Sequence, residues 1–102
     1  MNAEVEQHMD AVRALCRQFG VKRLDVFGSA TGSEFDPAIS DVDFLVELEP
    51  PDRLSRFDAF FGLKEGLEEL LGRHVDLVDP AALENPYFAA TVQQSRRELY
   101  AA

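Results

Sequence analysis

The sequence lacks several features that define common classes of protein. It has no tryptophan and one cysteine, Cys16, so it forms no internal disulfide bond, which agrees with a reducing cytoplasm. No stretch approaches the roughly 18 consecutive apolar residues that a membrane-spanning helix needs. The first residues are acidic, whereas a signal peptide begins with a basic and then an apolar segment. We therefore expect a cytoplasmic protein without a membrane span.

Basic residues are also scarce. There are 10 lysines and arginines against 19 aspartates and glutamates, which gives a net charge of −9. A surface this acidic repels phosphate backbones, so we expect no direct binding to nucleic acid. The charge suits a basic protein partner or bound cations, although it is also explained by solubility alone.

What the sequence does contain is sufficient for one core. Of its 102 residues 46% are apolar, including eight phenylalanines, and we expect a single domain over residues 1–102. Hydrophobic periodicity predicts the order helix, strand, strand, helix, strand, helix over residues 3–19, 21–27, 41–49, 53–71, 73–79 and 86–95. This order predicts an α/β (α+β) domain with a small mixed sheet flanked by helices. The closing "RRELYAA" is either an edge strand or an unwound end, with Arg96 and Arg97 in solvent.

The helix predicted over residues 53–71 carries two further expectations. Asp52 is expected to cap it, and Gly62 and Gly66, one turn apart, indicate close packing of another element, since each glycine costs about 1 kcal/mol relative to alanine. The side chains expected to be buried are Leu54, Phe57, Phe61, Leu67 and either Leu70 or Leu71.

The pattern with the clearest chemical meaning is "SDVDFLVEL", in which two aspartates enter a buried strand. Because strand side chains alternate, Asp41 and Asp43 point to the same face, about 6–7 Å apart along the strand. Two unpaired carboxylates so placed repel each other and are costly to bury. A divalent cation removes both costs, so the pair predicts a platform for one or two Mg²⁺ ions, although Asp-x-Asp alone is common on exposed strands.

Two other segments complete a candidate site. Gly28-Ser29 follows a strand, where glycine permits close backbone approach and a turn presents N–H groups and the Ser29 hydroxyl to an anion. Asp76, in "HVDLV", faces away from the core, and it joins Asp41 and Asp43 if its strand lies beside theirs. It could then bind a metal and accept the proton of an attacking hydroxyl. A site that holds phosphates at Gly28-Ser29 and metal ions at the aspartates opposite is typical of phosphoryl transfer. His74 is interpreted as a partly exposed strand residue and not as a ligand.

These motifs together resemble a known family. The segments "LDVFGSA", "FDPAISDVDFLVEL", "HVDLVDPAAL", "NPYF" and "RRELYAA" are similar to those of the minimal nucleotidyltransferases of the DNA polymerase beta superfamily, and specifically of the MntA-type antitoxins that are paired with HEPN-domain toxins. The resemblance implies a polymerase-beta-like nucleotidyltransferase palm. It also implies an antitoxin that transfers AMP from ATP, with Mg²⁺, to a tyrosine of a HEPN RNase and so silences it.

The resemblance assigns roles to five residues. Gly28 and Ser29 match the positions that bind the nucleotide triphosphate, Asp41 and Asp43 match the metal-binding pair, and Asp76 matches the third acidic position. Two Mg²⁺ ions are implied, with ATP as the substrate.

One departure from the family concerns the loop after Gly-Ser. Many relatives carry an arginine there, whereas residues 30–40 contain no basic residue. The charge of the triphosphate must then be met by metals and backbone, by the partner, or by basic residues elsewhere, of which the candidates are Lys22, Arg23, Lys64, Arg96 and Arg97.

Two alternative functions remain at this stage. The protein could neutralise its toxin by binding and masking it, with a weak or vestigial site, or it could be a transferase for small molecules such as aminoglycosides. A homo-oligomer and a hetero-complex are both compatible with the sequence.

Overall fold

The structure is a computed structural model that describes residues 3–28 and 41–102. Its elements are α1 (Ala3–Gln7), α2 (Met9–Phe19), β1 (Val21–Phe27), β2 (Val42–Leu48), α3 (Arg56–Leu71), β3 (Val75–Val78), a 3₁₀ helix (Pro80–Glu84), α4 (Pro86–Ser95) and β4 (Arg97–Ala101). The four strands form one sheet in the order β3-β2-β1-β4. β2 and β3 are parallel and the other pairs are antiparallel. The predicted mixed sheet with flanking helices is confirmed.

Both faces of the sheet are covered. On the first face, α2 and α3 pack over Leu24, Val26, Val42, Phe44 and Val46, all at most 1% exposed. The side chains that alternate with these point to the second face, where a smaller cluster forms beneath α4 and the 3₁₀ helix from Phe27, Leu45, Val78, Leu83, Phe88 and Val92. The alternation predicted for the strands is therefore present. Within the described ranges, no helix combines the length and the apolar character needed to cross a membrane.

The predicted N-terminal helix is divided into two. His8 leaves the helical conformation, with φ −107° and ψ 13°, and its N–H donates to the carbonyl of Val5, three residues earlier. α2 ends at Phe19, as predicted, and Gly20 follows it with a φ of 71° that suits glycine and an N–H that donates to the Cys16 carbonyl.

The start of α3 and its buried face differ from the prediction. Ser55, and not Asp52, caps the helix by accepting a hydrogen bond from the Asp58 N–H, because residues 51–54 form a turn. The buried side chains are Ala59, Leu63, Leu67 and Leu71.

Two phenylalanines predicted to be buried in α3 lie outside the core. Phe57 and Phe61 are 69% and 43% exposed. Their ring centroids lie 4.6 Å apart, and Phe60 contacts Phe61. The prediction was wrong because α3 carries apolar residues on more than one face, and periodicity alone does not say which of two apolar rows meets the sheet.

The glycines of α3 do mark a close helix contact, as predicted. A Cβ atom at Gly62 would lie 2.4 Å from Phe19 Cε1, and one at Gly66 would lie 2.8 Å from Leu15 Cδ2. Both neighbours belong to α2, so the two glycines allow α2 and α3 to approach each other.

The C-terminal segment contains an edge strand, β4, and the two arginines at its start, Arg96 and Arg97, differ in environment. β4 pairs antiparallel with β1. Arg96 is not a solvated end: its side chain is 17% exposed and forms an ion pair with Asp25, which is completely buried. Arg97 is exposed, as expected.

Cys16 provides a first testable expectation, because it is fully buried in the core of the first face. Burial raises the pKa of its thiol to about 12. Since an exposed cysteine has a pKa of about 8.5, the reactive thiolate at pH 8 is about 10³-fold scarcer in the native protein. Because the reagent also reaches a fully buried thiol only when the protein opens, we expect iodoacetamide to modify Cys16 rapidly in urea and at least about 10³-fold more slowly in the folded protein, as followed by intact mass. Equal rates in the two states would contradict this burial.

Candidate active site

Two neighbouring parallel strands bring the predicted carboxylates together. The register of β2 and β3 places Asp43 opposite Asp76 and Val42 opposite Val75. Residues paired across parallel strands point to the same face, so both carboxylates lie on the second face of the sheet. Asp41 directly precedes the paired segment of β2. The condition set by the sequence, that the strand of Asp76 must lie beside that of Asp41 and Asp43, is met.

A histidine that the sequence analysis set aside lies in the same cluster. His74 Nδ1 is 3.2 Å from Asp41 Oδ2 and 3.7 Å from Asp76 Oδ1. Ligand atoms of Asp41, His74 and Asp76 all lie within 4.8 Å of one another, and all three residues are exposed. A sequence signal for this arrangement existed: His74 and Asp76 have the same two-residue spacing as Asp41 and Asp43.

Asp43 is the most perturbed carboxyl group of this cluster. Its pKa is raised to about 6, chiefly because partial burial disfavours the charged form. The hydrogen bond with Asp76 and the negative charges of Asp76 and Asp41 raise the pKa further, and His74 acts in the opposite direction. Burial and the neighbouring carboxylates therefore both disfavour the charged form of Asp43.

Gly28 ends β1 against this carboxyl group. Its φ is +76°, and a Cβ atom at this position would lie 2.6 Å from Asp43 Oδ2. Its N–H donates to Ser95 Oγ at 2.8 Å, and the triphosphate contact expected of Gly28 stays a prediction. The predicted triphosphate contact of Ser29, and the loop 30–40, lie outside the described residues.

Comparisons with known proteins identify the family. The sequence model of one protein family, described as "Nucleotidyltransferase domain", matches residues 8–99. The chain belongs to this family. The protein adenylyltransferase MntA of Thermococcus cleftensis is 40% identical to this nucleotidyltransferase over 83 residues, which cover 80% of each chain.

Solved structures agree with the family and the fold. A structure provisionally described as a minimal nucleotidyltransferase has a TM-score of 0.73, at 33% identity and 95% coverage of both chains. A chain in the complex of tri-AMPylated Shewanella oneidensis HEPN toxin with MNT antitoxin has a TM-score of 0.63, at 20% identity and coverage of 95% of this chain and 72% of the other. At that identity the second likeness shows the fold alone. The predicted resemblance to MntA-type nucleotidyltransferases, and the fold it implies, are confirmed.

The basic side chains considered for the triphosphate are largely engaged in this nucleotidyltransferase. Lys22 lies 3.6 Å from Glu49, and Lys64 lies 3.9 Å from Glu68. Arg23 contacts Asp25 and Glu98, and Arg96 is paired with Asp25. The sequence indicates these residues by their charge alone and does not reveal the carboxylates that tertiary structure places beside them.

Proposed function

We propose that this protein is an antitoxin that transfers AMP from ATP to a tyrosine hydroxyl of a partner HEPN RNase toxin, in the presence of Mg²⁺, and thereby neutralises the toxin. The observation that carries the proposal is the grouping of three carboxylates: Asp43 and Asp76 lie opposite each other on adjacent parallel strands, and Asp41, directly before β2, lies close to Asp76. It is supported by the relative named protein adenylyltransferase MntA and by the similar fold found in a complex with an AMPylated HEPN toxin.

The residues present fit a magnesium site. Carboxylate oxygens are the donors that Mg²⁺ prefers, and Asp41, Asp43 and Asp76 bring three carboxyl groups together on one side of the sheet. Asp41, Asp43 and Asp76 would together hold the ions, two in our proposal. Bound Mg²⁺ supplies positive charge that offsets the charge of the triphosphate and of the transition state.

The transfer exchanges one phosphorus–oxygen bond for another. The tyrosine oxygen forms a bond to the α-phosphorus of ATP, while the bond from that phosphorus to the bridging oxygen breaks and pyrophosphate leaves with the electron pair. The hydroxyl proton passes to a base, for which we propose the carboxylate of Asp76. The Asp76 side chain is 52% exposed, so a tyrosine on the surface of another folded protein can reach it.

The charge of the chain agrees with a protein acceptor. A net charge of −9 attracts basic surfaces and accelerates their encounter with this protein. We therefore propose a basic HEPN toxin as the partner.

Intact mass after co-expression tests this function. We expect the HEPN protein encoded beside this one to gain mass in steps of one AMP when it is co-expressed with the wild type. The Asp41→Asn, Asp43→Asn double variant should give no increment, while Asp52→Asn, which removes an exposed carboxylate from the turn before α3, should behave like the wild type. Increments that persist with the double variant would contradict the proposal.

A second function, neutralisation by masking, is favoured by one observation. Residues 30–40 contain no basic residue, and four of the five basic candidates elsewhere contact carboxylates, namely Lys22, Arg23, Lys64 and Arg96. If the chain acts by masking, the same double variant will still protect cells from the toxin, and an unmodified partner will be recovered in a stable complex.

A further inference from the structure

The half-exposed imidazole of His74 occupies a position that the proposed phosphoryl transfer does not use. It lies directly before β3, and its Nδ1 atom faces the carboxylates of Asp41 and Asp76. We propose that His74 is a nitrogen ligand of the metal site and gives that site a preference for Mn²⁺ over Mg²⁺. This inference rests on the proposed metal-dependent function and adds the identity of the preferred ion.

The separations between the donor atoms suit one six-coordinate ion. When metal–ligand bonds are about 2.1 Å long, adjacent ligand atoms of an octahedron lie about 3 Å apart and opposite ones about 4.2 Å apart. His74 Nδ1 lies 3.2 Å from one carboxylate oxygen and 3.7 Å from the other, and the donor atoms of all three side chains lie within 4.8 Å of one another. Small side-chain rotations therefore place all three on one ion.

The chemistry of the donors selects the ion. Mg²⁺ takes oxygen ligands and keeps several waters, so an imidazole adds little to its binding. Imidazole nitrogen favours transition metals, whereas carboxylates suit Mg²⁺, Ca²⁺ and Mn²⁺. Mg²⁺ and Mn²⁺ both accept carboxylates in octahedral geometry, and of these two ions Mn²⁺, as a transition metal, gains more from the nitrogen.

Pulsed electron paramagnetic resonance of bound Mn²⁺ tests the ligand directly. The chain has two histidines, and His8, in the turn between α1 and α2, provides the matched control. In nitrogen-free buffer with Mn²⁺ alone, we expect ¹⁴N coupling in the wild type and in His8→Gln, and none in His74→Gln. The Kd for Mn²⁺ should rise at least about tenfold in His74→Gln, while that for Mg²⁺ changes less than about twofold.

A second variant separates ligation from a merely structural role. His74→Asp keeps a donor atom at this position but supplies oxygen, so it should bind both ions without ¹⁴N coupling and with a reduced preference for Mn²⁺. If His74 only held the two aspartates in place, His74→Gln would weaken Mn²⁺ and Mg²⁺ binding equally.

The outcomes distinguish this inference from the proposed function. Bound Mn²⁺ without ¹⁴N coupling in the wild type, or equal weakening of both ions, overturns the role of His74. If AMP transfer to the co-expressed partner persists in that case, the proposed function stands. If the wild type transfers no AMP to the co-expressed partner, the proposed function is overturned whatever the spectrum shows.

Discussion

Replacing Arg96 with methionine is expected to lower the free energy of unfolding by about 3 kcal/mol, because it leaves a buried carboxylate with one of its two arginine partners. Asp25 is completely buried, and Arg96 covers it from the end of α4. The remaining partner, Arg23, is 39% exposed and donates from Nε to Asp25 at 3.0 Å. Since a domain of this size is stable by about 5–15 kcal/mol, the loss is a large fraction of the total.

Urea denaturation and the labelling rate of Cys16 measure this effect. Arg97→Met is the matched control, because Arg97 is the next residue and its side chain is exposed; we expect it to change stability by less than about 0.5 kcal/mol. A double-mutant cycle with Asp25→Leu isolates the pair, and the Asp25→Leu, Arg96→Met double variant should regain much of the stability lost in Arg96→Met. Equal stabilities for Arg96→Met and Arg97→Met would contradict the proposed role of the ion pair.

This ion pair also bears on the candidate site. Asp25 lies in β1, which Gly28 directly follows, and Arg96 directly follows Ser95, whose hydroxyl accepts the hydrogen bond from the Gly28 N–H. The pair and the hydrogen bond therefore join the end of β1 to the end of α4, next to Asp43. We infer that the buried charge helps to hold the backbone on which the site is built.

The sequence predicted the carboxylate cluster because the alternation of side chains along a strand is a local property. Strand alternation fixes which face Asp41, Asp43 and Asp76 occupy once the strands are recognised. One long-range condition remained, namely that β2 and β3 lie side by side. This arrangement is common when a helix, here α3, connects two strands, because such a crossover joins parallel neighbours.

The errors concern features that no local pattern contains. Arg96 and Asp25 are 71 residues apart in the chain, and nothing near either one indicates the other. His74 was set aside because the role of a histidine depends on its neighbours in space. The exposure of Phe57 and Phe61 depends on which apolar row of α3 meets the sheet.

Replacing Gly28 with alanine is expected to reduce AMP transfer at least about 100-fold, since displacing a catalytic group by about 1 Å can cost that much. The new Cβ atom would lie 2.6 Å from Asp43 Oδ2. The backbone of Asp43 is held in β2 by its pairing with Phe27. We therefore expect its side chain to relieve the contact by turning the carboxylate away from the cluster. The rate at which AMP increments appear on the purified partner measures the loss.

Gly72→Ala separates this contact from backbone strain. Gly72 ends α3 with φ +66°, close to the +76° of Gly28, but a Cβ atom there has no neighbour within 4 Å. Both alanine variants should therefore lose about 1 kcal/mol of stability from the left-handed conformation, whereas only Gly28→Ala should lose transfer activity. If the two variants transferred AMP equally well, the close approach of Gly28 to Asp43 would have no part in the reaction. If only Gly28→Ala fails, loss of stability from the left-handed backbone does not account for the defect, and the room that Gly28 leaves for the Asp43 carboxylate contributes to transfer.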